Sequence, residues 1–211
     1  MINSIIFDLD GVLVFTDKFH YKAWKKLADS IGVYFDEEIN NRLRGVSRMD
    51  SLDIILERYE GETMSSERKK ELAETKNAYY RELLATLTED DVSMEVRDTL
   101  AELKKKGIRI AIGSSSKNAK FIIEQVGLTG VFDAISDGTN ITHSKPDPEV
   151  FLKAAEFLGE DPSTCMVVED AEAGIDAAIA GGMYSAAIGD AVGCNKADYT
   201  LNSISDVLNI V

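Results

Sequence analysis

From residue 94 onward the chain alternates short apolar runs with amphipathic stretches, and this alternation is the strongest constraint on its fold. Helical patterns over 94–106, 119–126, 149–158 and 171–180 are separated by strand-like runs over 108–112, 132–136, 166–168 and 184–188. One more short strand and helix are expected in the tail. Strands that read as near-continuous apolar runs are buried on both faces, and helices between them act as parallel crossovers. The run Ile2–Phe7 has the same β-branched character, but the alternation then stops. A helix from Asp17 to about Ile31 carries Phe19, Ala23, Leu27 and Ile31 on one stripe, with Thr16 and Asp17 placed to cap it. Only helical patterns follow up to Thr88, including Ser47–Tyr59 and Ser65–Leu87, the latter with Leu72, Lys76, Tyr79 and Leu83 on one stripe. The expected organisation is an α/β core of residues 1–15 and 89–211, with a helical cap of residues 16–88 inserted after the first strand.

Composition bounds the partners. With 211 residues and 45% hydrophobic content the chain can bury a core without disulfide or metal staples. Its net charge of −14 repels phosphate backbones and anionic membranes, so neither nucleic acid nor a membrane surface is expected as a partner. No run approaches the roughly 20 apolar residues of a membrane span. Ile5-Ile6-Phe7 is too short for a signal peptide and meets acid at once. Cys165 and Cys194 show no metal-ligand spacing and fit a reducing compartment, so the cytoplasm is expected. No apolar surface stripe suggests an interface, and a monomer is expected.

Open parallel sheets place ligands beyond the carboxyl ends of their strands. Four such ends, or the loops just after them, carry unusual polar groups here. Asp8 and Asp10 are two residues apart, so in extended chain they point to the same side, and Gly11 suits a sharp turn. One carboxylate could attack phosphorus while the other trades a proton with a hydroxyl. The same residues also fit a strand end decorated with turn formers. Ser114-Ser115-Ser116-Lys117-Asn118 could bind an anion, or simply cap a helix. Lys145 precedes a proline in a rigid loop, where it could neutralise a phosphate and Asp8, or be an ordinary loop lysine. Glu169-Asp170 offers hard oxygens suited to Mg²⁺, or an N-cap at Asp170. In the helical insert, Arg44-Gly45-Val46-Ser47-Arg48 is either a phosphate fork or a solvated basic turn. Lys76 could snorkel or face a cleft. His20 is as well suited to a structural role as to a functional one, His143 is given no role, and Trp24 is expected in the core.

These residues, in this order and spacing, resemble the four motifs of the haloacid dehalogenase superfamily: Phe7-Asp8-Leu9-Asp10-Gly11, the Ser114–Asn118 loop, Lys145-Pro146 and Glu169-Asp170. Thr16, His20, Trp24, Arg44–Arg48, Ser51-Leu52 and Lys76-Asn77 are similar to the β-phosphoglucomutase branch. The resemblance implies a Rossmann-like doubly wound parallel sheet with an all-helical cap. It also implies that Asp8 is the nucleophile, forming an aspartyl phosphate, and that Asp10 is the general acid and base. Asp8, the Asp10 carbonyl, Glu169 and Asp170 would hold Mg²⁺, and Ser114 and Lys145 the transferring phosphoryl group. Arg48, Ser116, Lys117 and Asn118 would bind a distal phosphate, and Gly45 and Val46 the sugar. Thr16, His20, Arg44, Ser51, Lys76 and Ser115 complete the implied substrate-binding set, with His20 and Lys76 coupling Asp10 to cap closure. Four positions depart from the family pattern: Phe15 stands where Asp is common, Arg44 for Lys, Ala171 for Ser, and Met94-Glu95 for Pro-Gly.

The implied reaction converts β-D-glucose 1-phosphate to glucose 6-phosphate through a β-glucose 1,6-bisphosphate. The competing expectations are a Mg²⁺-dependent phosphatase of a small sugar phosphate and a non-catalytic binding module. A binding module has no use for a paired nucleophile and acid, and a phosphatase needs no second phosphate site. The acidic chain is compatible with an anionic substrate, because the implied site holds five bases (Arg44, Arg48, Lys76, Lys117, Lys145) to four acids. Attraction would then be local, inside a cleft, where fields are least screened.

Overall fold

The computed structural model describes residues 2–43 and 47–211. The chain divides into two compact units, one of residues up to Phe15 together with Leu87–Val211, the other Thr16–Thr86.

The first unit is built on a six-stranded, all-parallel sheet among the described residues. Its strands are β1 (Ser4–Phe7), β2 (Arg109–Gly113), β3 (Ala134–Ser136), β4 (Cys165–Glu169), β5 (Tyr184–Ala187) and β6 (Tyr199–Thr200), in the order β3-β2-β1-β4-β5-β6. Four helices of this unit are α5 (Met94–Lys105), α6 (Ala119–Gln125), α7 (Glu149–Leu158) and α8 (Glu172–Ala180). Ile6, Ala111 and Val167 point to one face and pack with Val150, Phe151, Ala154, Ala177 and Ala178 of α7 and α8. The alternate residues Ile5, Ile110, Ile112, Met166 and Val168 are fully buried as well. Burial of both faces explains why the strands lack polar alternation. The expected doubly wound α/β core is thus the observed one. The strand order reverses between β1 and β4, so the crevice at their carboxyl ends is where such a sheet binds ligands.

The second unit is helical, with α1 (Asp17–Ser30), α2 (Glu37–Asn41), α3 (Arg48–Leu56) and α4 (Ser66–Leu84). Serines set the starts of α3 and α4: the Ser47 side chain accepts from Asp50 N–H and that of Ser65 from Arg68 N–H. Trp24, Leu27, Val33, Phe35, Ile39, Leu52, Ile55 and Leu72 form its core.

Three local expectations are corrected. Thr16 starts α1 but its side chain makes no cap bond; it is buried, and its hydroxyl pairs with Tyr80 Oη at 2.9 Å. The buried stripe of α4 is Leu72, Ala73, Lys76, Tyr80 and Leu84, one residue away from the expected Tyr79 and Leu83, because the helix packs on α1 along the i, i+4 row. The tail helix is 3₁₀, over Ile204–Asn209, opened by a Ser203/Asp206 capping box. Among the described residues no helix is long and apolar enough to cross a membrane.

Candidate active site

The strand register builds one group of candidate residues. Phe7 lies beside Val168, and the Asp8 N–H continues the ladder to the Val168 carbonyl at 3.0 Å. Asp8 and Glu169 therefore emerge from the ends of adjacent strands, both buried. After Asp8 the chain turns sharply. Gly11 N–H donates to the Val14 carbonyl at 2.8 Å, and Gly11 has φ +89°, a left-handed conformation that side chains disfavour. A Cβ at Gly11 would sit 2.0 Å from Asp170 Oδ2, so the Asp170 carboxylate reaches the Asp8–Gly11 loop only across a glycine. Gly174 plays the same part for Glu169, whose carboxyl carbon lies 1.9 Å from where a Cβ would be. Glu169 Oε2 accepts from Ala171 N–H at 2.9 Å. The N-cap of α8 is Ala171, so Asp170 is not the cap that one sequence reading allowed.

Lys145 joins these acids. Its ammonium donates to Asp8 Oδ1 and to Glu169 Oε1, and lies 4.7 Å from the centre of the Phe151 ring. Burial alone would lower the Lys145 pKa, but the two carboxylates outweigh it and hold the group above its ordinary value. Burial pushes the Asp8 carboxyl well above its ordinary value; Lys145 opposes the shift, while Glu169 and Asp10 add to it. Asp8, Glu169 and Asp170 thus gather hard carboxylate oxygens at one crevice, in a cradle that Gly11 and Gly174 leave open. That donor set fits Mg²⁺, which favours a few carboxylates and keeps several waters.

The serine loop follows β2, whose Ile112 is the register partner of Phe7. Ser114 is buried; its N–H donates to the Ser136 carbonyl at 3.1 Å, and its Oγ accepts from Ser116 N–H at 3.2 Å. Ser116 Oγ accepts from Asn118 N–H at 3.2 Å. These bonds shape the loop, with Asn118 buried and Lys117 exposed. The Ser115 hydroxyl is buried with no hydrogen-bond partner among the described residues.

A second group of candidate residues lies within the helical unit. Lys76 is 3% exposed, so it does not snorkel. Its ammonium lies 2.9 Å from His20 Nδ1, 4.6 Å from the centre of the Trp24 ring and 4.8 Å from that of Tyr80. An ammonium can only donate, so Nδ1 accepts and the imidazole proton sits on Nε2. The His20 ring stacks on Tyr80 at 4.0 Å. Burial, then Lys76 and Arg48, hold the His20 pKa well below its ordinary value, which keeps the ring neutral. Arg48 opens α3 and donates to Glu74 Oε1 at 2.9 Å and to Asn77 Oδ1 at 3.0 Å. Ser51 is buried on α3, its N–H bonded to the Ser47 carbonyl. Arg44, Gly45 and Val46 lie outside the described residues.

The structure thus groups Asp8, Lys145 and Glu169, with Asp170 against the same loop, in one unit. It groups Thr16, His20, Lys76 and Arg48 in the other. Tyr80, Glu74 and Phe151 were not singled out from the sequence. Tyr80 sits four residues after Lys76 on the true α4 stripe, and that spacing was the available signal.

A family model for haloacid dehalogenase-like hydrolases matches residues 2–182, spanning both groups. The chain belongs to this family. Among its haloacid dehalogenase-like relatives, a β-phosphoglucomutase of Bacillus subtilis is 39% identical over 97% of this chain and 91% of its own length. A phosphorylated carbohydrates phosphatase of Thermotoga maritima is 30% identical over 85% of this chain and 82% of its own. A crystal structure of β-phosphoglucomutase from Clostridium difficile superposes with a TM-score of 0.89 at 38% identity, covering 98% of this chain and 93% of that one. The haloacid dehalogenase-like fold is therefore shared along nearly the whole chain.

Proposed function

We propose that this chain interconverts β-D-glucose 1-phosphate and glucose 6-phosphate through an aspartyl phosphate and a β-glucose 1,6-bisphosphate. One observation carries the reading: besides the lysine at the strand ends, the helical unit holds a second basic array of Arg48 and buried Lys76. A sugar phosphorylated at both ends needs two anion sites, whereas hydrolysis of one phosphate needs one. The likeness to the Bacillus and Clostridium mutases supplies the sugar.

In this scheme an Asp8 carboxylate oxygen attacks phosphorus and the bond from phosphorus to the sugar oxygen breaks. Asp10 gives the departing oxygen its proton, and takes one back when the second hydroxyl attacks the aspartyl phosphate. Lys145 and Ser114 hold the phosphoryl oxygens, and Lys145 opposes the upward shift that burial gives the Asp8 carboxyl. Asp8, Glu169, Asp170 and the Asp10 carbonyl would hold Mg²⁺, which when bound neutralises charge on the transferring group. Arg48, with Ser116, Lys117 and Asn118, reads the distal phosphate, and Gly45 and Val46 stay in the proposed sugar-binding set on sequence alone. Arg44 stays in the proposed set on sequence alone. Thr16 and Ser51 support the helical side, and Ser115 supplies an unused hydroxyl. The substrate is a small sugar phosphate, the working form a cytoplasmic monomer, and neither nucleic acid nor membrane takes part.

The second reading is a sugar-phosphate phosphatase with the same nucleophile and water as acceptor, favoured by the likeness to the Thermotoga phosphatase. One assay separates them. The protein is incubated with Mg²⁺, β-glucose 1-phosphate and a trace of the 1,6-bisphosphate, and glucose 6-phosphate and free phosphate are followed separately. Glucose 6-phosphate as the main product, lost in Asp8→Asn, supports the mutase; rapid free phosphate with little isomer supports the phosphatase.

A further inference from the structure

The loop that delivers Lys145 is tied by a carboxylate outside the site described above. Glu149 is the first residue of α7, and its Oε2 accepts three hydrogen bonds: from Thr142 N–H at 2.9 Å, Thr142 Oγ1 at 2.9 Å and His143 N–H at 2.7 Å. His143 Nδ1 lies 3.3 Å from the same oxygen. On the far side, Asp147 Oδ1 accepts from Glu149 N–H at 2.9 Å, and Asp147 N–H donates to the Ser144 carbonyl at 3.1 Å. The stretch from Thr142 to Glu149 is closed on itself, with Lys145 inside the closed segment.

The anchor is firm because α7 is firm. Val150 and Phe151 directly after Glu149 are fully buried in the sheet core, and Phe151 is also the ring beneath the Lys145 ammonium. Glu149 therefore links the start of the loop to the helix that carries the platform for its lysine. The donated N–H groups of His143 and Thr142 hold the Glu149 carboxyl at about 2, so it is ionised at any working pH. An ionised carboxylate accepting several bonds makes a stronger tie than a neutral acceptor. This matters at Lys145, whose ammonium must meet Asp8 and Glu169 together; a shift of about 1 Å in such a group costs on the order of 100-fold in rate.

We propose that Glu149 is the positioning residue for Lys145: by tying Thr142 and His143 to the start of α7, it fixes the loop so that the ammonium reaches both carboxylates. The proposal rests on the reading above that Lys145 serves phosphoryl transfer to Asp8.

The test uses the full chain with Mg²⁺, in wild type, Glu149→Ala and Glu149→Gln, each first shown to be folded at the assay temperature by thermal unfolding. Gln keeps an oxygen where the three donors converge. Two reactions are followed: acetyl-phosphate hydrolysis, which reads phosphoryl transfer through Asp8 whatever the later acceptor, and conversion of β-glucose 1-phosphate. Glu149→Ala should lower kcat in both by about 10- to 100-fold. KM for the sugar phosphate should stay within about threefold, and Glu149→Gln, whose neutral oxygen still accepts, should recover part of the loss. Wild-type kcat in a folded Glu149→Ala protein would overturn the proposal. So would a loss carried in KM, or one that Gln does not recover. Wild-type protein that releases phosphate without forming the isomer would instead remove the mutase reading, and the kcat loss in Glu149→Ala would still support Glu149 as positioning residue.

Discussion

Each unit of the molecule holds one lysine largely out of solvent, Lys76 buried and Lys145 with its side chain 10% exposed, and the two are held by different means. Lys145 sits between the Asp8 and Glu169 carboxylates, where opposite charge offsets the loss of water. Lys76 is met by a neutral imidazole and the faces of Trp24 and Tyr80. The first arrangement is a tight ion cluster, in which removing one member leaves like charges buried together. The second is a cation held over aromatic ring faces with a hydrogen bond to an imidazole, in which removing the cation leaves aromatic surface that another apolar chain can cover. The strand-end lysine is thus tied to Asp8, while the helical lysine sets the tautomer of a histidine.

Substitution by methionine breaks this comparison most directly. Lys145→Met leaves Asp8 and Glu169 facing each other without a cation and should cost about 3 kcal/mol of unfolding free energy at neutral pH. Denaturant unfolding of the full chain in metal-free buffer measures it. A cost near zero would mean the cluster is solvated rather than buried. Lys76→Met should cost no more than about 1 kcal/mol, since lost cation–ring attraction is offset by removal of a buried charge. Equal costs for the two variants would erase the distinction.

A smaller effect comes from pH. The His20 pKa in the folded chain lies below its unfolded value near 6.5, so in the window between them the unfolded chain holds a proton that the folded chain does not. Stability from this group is full above pH 6.5 and falls as pH drops through that window, by at most about 1.4 kcal/mol per pH unit. Unfolding midpoints of wild type and His20→Gln between pH 5.5 and 7.5 should converge on the acid side. Parallel curves would show that His20 does not titrate as described.

What the sequence could show follows from range. The sheet and the groups at its strand ends are written in short windows: an apolar run, then an acid, a serine cluster or a lysine before proline. Parallel pairing brings those ends together without further information, so Asp8, Ser114 and Glu169 were legible as one set. Contacts set by helix rotation were harder to read. A shift of one residue around α4 replaces Tyr79 with Tyr80, and with it the partner of Thr16 and the platform of His20. The Glu149 tie was hidden for a different reason. A glutamate opening a helix reads as ordinary dipole chemistry, and nothing local shows that its oxygen turns back seven residues to the loop behind it.

Under the proposed function the helical unit reads one phosphate while the strand ends transfer another. Arg48→Ala tests it by comparing two substrates of one protein. Acetyl phosphate has no distal phosphate, whereas the sugar bisphosphate does. Loss of a hydrogen bond to a charged group is worth about 1.5–3 kcal/mol, so kcat/KM for the sugar phosphate should fall about 10- to 150-fold. Acetyl-phosphate hydrolysis should change less than about twofold. Equal losses on both substrates, or none on the sugar phosphate, would contradict the account.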